Sequence, residues 1–111
     1  MKMAIFSRCY DLVNWLLIAS NHFPRSQRFV VTKRLLDAAF DFQELLLEAN
    51  GCRGAERVRK LRQSDVTLDK VRLYLRLAHG NKWLSDGQYG HASAMVAEIG
   101  RLLGGWLRSV K

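Results

Sequence analysis

Apolar residues recur at intervals of three and four along almost the whole chain and nowhere alternate for long with polar ones, so the pattern predicts helices and no strand. The first helix, over 3–21, carries Phe6, Tyr10, Val13 and Leu17 on one stripe, with Leu12, Leu16 and Ala19 beside it. Pro24 follows. A proline costs nothing in the first turn of a helix, where its missing N–H would have no partner, so the second helix is expected to start there and to run over 24–49. Its apolar face is wide: Phe29, Leu36, Phe40 and Leu47, flanked by Val31, Leu35, Phe42, Leu45 and Leu46. Asn50-Gly51 closes it, glycine being suited to the left-handed conformation that ends a helix. The third, over 55–79, carries Val58, Leu61, Leu68, Val71, Leu75 and Ala78, with Ser64, Asp65 and Thr67 marking a place for a bend or a break. Ser85, followed three residues later by Gln88, matches a capping box. The fourth helix, 86–110, then aligns Tyr89, Ala92, Val96, Ile99, Leu103, Trp106 and Val110 in an unbroken heptad seam that calls for a helical partner.

Four amphipathic helices with short connections predict an all-α, antiparallel up-down-up-down four-helix bundle forming one domain over 1–111. There is no internal repeat and no low-complexity linker. Trp15, Phe42 and Leu46 lie off the main seams, so helices 1 and 2 present either a broad core face or a surface that packs against another subunit. Within helix 4, Gly100, Gly104 and Gly105 each cost about 1 kcal/mol of helix propensity relative to alanine, which something must offset. Ser93, Ala97, Gly100 and Gly104 form a small-residue stripe, read as close packing inside the bundle or as a subunit interface.

Composition adds limits. Of 111 residues, 49% are hydrophobic and 25% charged, which excludes a disordered or collagen-like chain. No run approaches the roughly 20 apolar residues that cross a bilayer. Lys2 and Arg8 precede the apolar stretch Leu12–Ala19, but Asp11 and Asn14 interrupt it, so it reads as a helix of the fold and not as a signal peptide. Cys9 and Cys52 lack the CxxC spacing and paired histidines of a metal site and are expected to be reduced, in a cytoplasmic protein; a disulfide between them is the alternative.

Charge changes the picture most. Eighteen Lys+Arg against ten Asp+Glu leave a net +8, which points to a polyanion or an acidic partner, the alternative being that the excess serves solubility. On helix 2, Asp37, Asp41, Glu44 and Glu48 recur as an acidic stripe; helix 3 opens with Arg53, Arg57, Arg59, Lys60 and Arg62 and continues with Lys70, Arg72 and Arg76. Pairing between these stripes still leaves a surplus on helix 3 and on Arg25, Arg28, Lys33 and Arg34, able to bind phosphates without base specificity. Trp83 beside Lys82 is placed either to stack on a base or to form a lid over the end of the bundle.

Catalysis has little support. His22, His79 and His91 have no serine, cysteine or carboxylate spaced with them as a nucleophile system, and Gly80, Gly87 and Gly90 form no phosphate-binding fingerprint. The residues imply no cofactor and no metal.

Phe23-Pro24-Arg25 with Arg28-Phe29 resembles the helix 1 to helix 2 junction of the bacterial four-helix bundles related to proteins encoded in 23S ribosomal RNA intervening sequences. The C-terminal half is similar to the accessory variability determinants (Avd) of diversity-generating retroelements: Leu73-Tyr74-Leu75-Arg76-Leu77-Ala78, Trp83-Leu84-Ser85, Gln88-Tyr89, and Glu98-Ile99-Gly100-Arg101-Leu102-Leu103-Gly104-Gly105-Trp106-Leu107. That resemblance implies a homopentameric barrel of bundles with a basic surface, non-enzymatic, binding the element's reverse transcriptase and nucleic acid in support of mutagenic copying of template RNA into cDNA. It makes Gly100, Gly104, Gly105 and Trp106 structural. It places the binding surface on Arg25, Arg28, Arg53, Arg57, Arg59, Lys60, Arg62, Arg72 and Arg76. The alternative is an oligomerisation or protein-docking bundle of the intervening-sequence type.

Overall fold

The computed structural model describes residues 2–110, with side chains described from Ala4 to Val110. These residues form α1 (Lys2–Ala19), α2 (Val31–Asn50), α3 (Gly54–Gly80) and α4 (Asp86–Ser109), with two 3-10 turns, Ser20–His22 and Arg25–Gln27, between α1 and α2 and no strand among them. Each helix packs on its chain neighbours and α1 closes the ring on α4, giving a four-helix bundle of 43 × 25 × 19 Å. Cross-helix contacts such as Phe6 with Trp106 and Trp15 with His91 run α1 antiparallel to α4, and the most extensive packing joins α2 to α3.

The core follows the expected seams on α3 and α4. Leu61, Leu68, Val71, Leu75 and Ala78 of α3 meet Ala92, Val96, Ile99, Leu103 and Trp106 of α4, all buried. Tyr89 and Val110 pack partly buried at the seam's ends. On α1 and α2 the burial falls differently from the expected stripe. The core takes Ile5, Cys9, Leu12, Val13 and Leu16 from α1, and Leu35, Ala38, Ala39, Phe42, Leu46 and Ala49 from α2. Phe42 and Leu46, which the pattern set off the seam, are therefore the core face. Tyr10 is instead 62% exposed and Leu47 67%, and Leu17 and Phe40 are also exposed. Both stripes have a helical period, and the buried one includes the small residues Ala38, Ala39 and Ala49.

Local boundaries also shift. Pro24 does not open the second helix: its ψ of 141° is extended, it begins the 3-10 turn Arg25–Gln27, and α2 starts at Val31. The cause is Phe23, which is buried against Trp83 with ring centroids 5.8 Å apart and so holds the chain extended across the end of the bundle. Phe29 consequently lies in the connection and not on α2. The first helix gives way to a 3-10 turn at Ser20. No break interrupts α3: Ser64 and Thr67 are buried within it and donate their hydroxyls back to the Lys60 and Gln63 carbonyls, 2.9 Å in each case, so their polar groups are satisfied inside the helix. Gly51 ends α2 in a right-handed conformation (φ −87°), and the left-handed residue is Gly54 (φ +58°) at the start of α3. At the other end of α3 a non-glycine residue, Lys82, takes φ 65°. The capping box at Ser85 and Gln88 is formed, with bonds of 3.1 and 2.8 Å.

Candidate nucleic-acid interface

The basic residues singled out in the sequence separate into two ends of the bundle. Arg25 and Arg28 sit in the α1–α2 connection, where Ser20–Arg34 holds four Lys or Arg and no acid. Arg53, Arg57, Arg59, Lys60 and Arg62 surround the start of α3 at the opposite end, and Arg72 and Arg76 lie further along that helix. In a bundle 43 Å long these nine do not form one patch within a protomer.

Several of them are engaged. Arg57 donates to the Ala49 carbonyl at 2.9 Å and to the Asn50 carbonyl at 3.1 Å, so its guanidinium caps the C-terminus of α2. Lys60 pairs with Glu48 across the helices at 2.8 Å, Arg59 pairs with Glu56, and Arg72 pairs with Asp69 at 2.7 Å. Among the described residues, Arg25, Arg28, Arg53, Arg62 and Arg76 make no ion pair. They are also exposed, so these five are the cations of the predicted set that stand in solvent without an ion pair. Arg101 and Arg108 of α4, not singled out from the sequence, are exposed as well. Arg101 falls within the C-terminal motif, and both lie off the α4 seam and outside any run of basic residues.

The acidic stripe of α2 meets α3 less completely than its spacing suggests. Asp41, Glu44 and Glu48 line a groove with Gln63, Val66 and Lys70, yet Glu48–Lys60 is the one ion pair across it among the described residues, and Asp37 pairs within α2 to Lys33. The positive surplus at the bundle ends is therefore not drained by these acids.

Of the α4 glycines in the motif, only Gly100 faces α3. At Gly100 an added Cβ would stand 2.8 Å from Arg72 Nη2 and 3.7 Å from Leu68 Cδ2, so the missing side chain makes room for the Arg72 guanidinium inside the protomer. Gly104 and Gly105 meet only the tip of Arg108, at 3.4 and 3.9 Å. Trp106 is buried with its ring edge-on to Phe6, centroids 6.0 Å apart. Gly100 and Trp106 thus have packing partners on other helices, whereas Gly104 and Gly105 meet nothing beyond Arg108 of their own helix.

The remaining candidates resolve into structural roles. Trp83 forms the lid, partly buried on Phe23. His79 stacks on Tyr89, centroids 4.3 Å apart, and contacts Asp86 at 2.8 Å; His91 lies against Trp15. Cys9 and Cys52 are free thiols, and burial pushes the Cys9 thiol up to about 12. Among the described residues no three His, Cys, Asp or Glu side chains are grouped to hold a metal, and no helix is long and apolar enough to cross a membrane.

A comparison with protein families matches residues 3–110 to the family described as bAvd-like. The chain belongs to the bAvd-like family. The match spans nearly all of the chain, including the C-terminal segment Glu98–Leu107 on which the resemblance rested. Among solved structures, this bAvd-like chain is similar to a protein of unknown function from the S23 ribosomal protein family of Bacteroides thetaiotaomicron, with a TM-score of 0.87 and 17% identity over 97% of this chain and 99% of that one. At that identity the likeness establishes the shared bundle. No curated protein matches.

Proposed function

We propose that this bAvd-like protein is a non-enzymatic accessory factor of a diversity-generating retroelement, acting in the cytoplasm. It binds the element's reverse transcriptase and the phosphates of template RNA or cDNA, and so supports mutagenic reverse transcription and retrohoming. The observation that carries this reading is the family match over residues 3–110. The five exposed arginines without ion pairs support it, since a polyanion is the partner that a surplus of +8 attracts. A homopentameric barrel is part of the same proposal. Its support is the apolar side of α1 and α2, where Tyr10, Phe40 and Leu47 stand exposed although a monomer would gain from polar residues there.

The test is co-expression with the neighbouring reverse transcriptase, purification on a tag carried by the polymerase, and mass measurement of the complex, with RNA binding followed from 50 to 200 mM salt. Co-purification at a fixed ratio and binding that weakens steeply with salt are expected. An oligomer that binds neither polymerase nor RNA overturns the proposal. It would leave the oligomerisation or docking-module reading.

A further inference from the structure

At the α1–α2 end of the bundle the chain forms a partly open cavity of about 450 Å³. Arg25, Arg28, Asn21 and Thr32 supply its polar wall and Phe23 and Leu36 part of its apolar wall, and no carboxylate lines it. Neither arginine has an ion-pair partner among the described residues. The first turn of α2, which begins beside this wall, has neither a capping side chain nor an acid to offset its positive end. Immediately after Arg28 comes Phe29, whose ring is 80% exposed, more than any other large apolar side chain described.

We propose that this cavity seats a backbone phosphate of single-stranded nucleic acid between Arg25 and Arg28, while the Phe29 ring stacks on an adjacent base. The proposal rests on the nucleic-acid reading above and gives it a location and a strand preference. Two guanidiniums without competing acids supply bidentate donors to phosphate oxygens. An exposed aromatic ring beside them serves any unstacked base, which a duplex cannot offer. The cations at the other end of the bundle are not joined by an exposed aromatic residue, and Arg57, Arg59 and Lys60 there are already engaged.

The experiment uses the full chain and a fluorescein-labelled ten-nucleotide single-stranded RNA of mixed sequence, with its duplex as the comparison, read by anisotropy across salt. For the double variant Arg25→Gln/Arg28→Gln the expected result is affinity lower by about tenfold or more, and a salt slope shallower by about 1.4 for two lost phosphate contacts. Phe29→Ala should weaken single-strand binding by at least about fivefold and leave duplex binding unchanged. Arg53→Gln/Arg62→Gln removes equal charge from the opposite end and should cost less. Wild-type affinity in the Arg25→Gln/Arg28→Gln variant, with helicity and mass unchanged, overturns the site, as does an equal loss from the opposite-end variant with no strand selectivity at Phe29. Photo-crosslinking of 4-thiouridine RNA to the wild-type protein checks the same point without any variant: crosslinks within 25–34 support the site, and crosslinks confined elsewhere overturn it. A wild-type protein that binds neither RNA overturns the nucleic-acid reading itself.

Discussion

Replacing Gly104 or Gly105 by alanine should stabilise the protomer, although both lie in the family-like C-terminal motif. Each glycine sits inside α4, where alanine is favoured by about 1 kcal/mol through backbone entropy and propensity. An added Cβ would touch only the flexible end of Arg108, at 3.4 Å from Gly104 and 3.9 Å from Gly105, so nothing in the protomer opposes the gain. Gly100→Ala differs. Its Cβ would stand 2.8 Å from Arg72 Nη2, and the guanidinium must swing away and release Asp69. That exposed pair contributes about 0 to 1 kcal/mol, which cancels part or all of the helix gain. The expected order is thus Gly104→Ala and Gly105→Ala, each raising Tm by roughly 4 °C, above Gly100→Ala with little change. Urea unfolding followed by far-ultraviolet circular dichroism, with light-scattering mass at each protein concentration, reads both stability and assembly. A loss of about 1 kcal/mol or more at Gly104 or Gly105 with unchanged mass refutes the reasoning. A loss accompanied by a falling mass would place a neighbouring subunit against that turn of α4.

Three further outcomes follow from the geometry. Arg57→Gln should cost about 1 to 3 kcal/mol in urea unfolding, because the Ala49 and Asn50 carbonyls lose charged donors, while Arg53→Gln should leave stability nearly unchanged. Ser85→Ala should cost about 1 kcal/mol through loss of the capping box, and Ser85→Asp should recover most of it; equal Tm for all three would contradict the cap's role. The buried Cys9 thiol stays protonated in the fold up to about pH 12, whereas in the unfolded chain it ionises near its ordinary value of 9.0. Its contribution is therefore complete below about pH 9 and is lost as pH rises from there toward 12. Removing the thiol with Cys9→Ala should flatten that part of the stability profile. Iodoacetamide at pH 8 should label Cys52 alone until urea is added.

The helices and their order were legible because α3 and α4 each carry one continuous apolar seam. Leu61 to Ala78 and Ala92 to Trp106 have the right period and are buried along it, although α3 also leaves Val66, Leu73 and Leu77 exposed away from the seam. On α1 and α2 two adjacent stripes compete. Spacing alone cannot decide between Phe40 with Leu47 and Phe42 with Leu46; the choice is made by small residues such as Ala38, Ala39 and Ala49, which admit a neighbouring helix. Pro24 misled for a related reason: its fitness for a helix start is local, and the burial of Phe23 against Trp83 outweighs it. For the candidate interface, the sequence located the cations but not their engagement. Nothing in the spacing of Arg57 distinguishes it from Arg62, yet one closes a helix end and the other is left unpaired.

The division of the positive charge between the two ends of a stiff bundle sets a length. A duplex rises about 3.4 Å per base pair, so 43 Å corresponds to roughly a dozen base pairs, a little over one helical turn. A duplex held at both ends of one molecule must therefore be at least that long. Shorter duplexes can reach one end only, and the step in duplex affinity with length would work as a ruler built from helices alone.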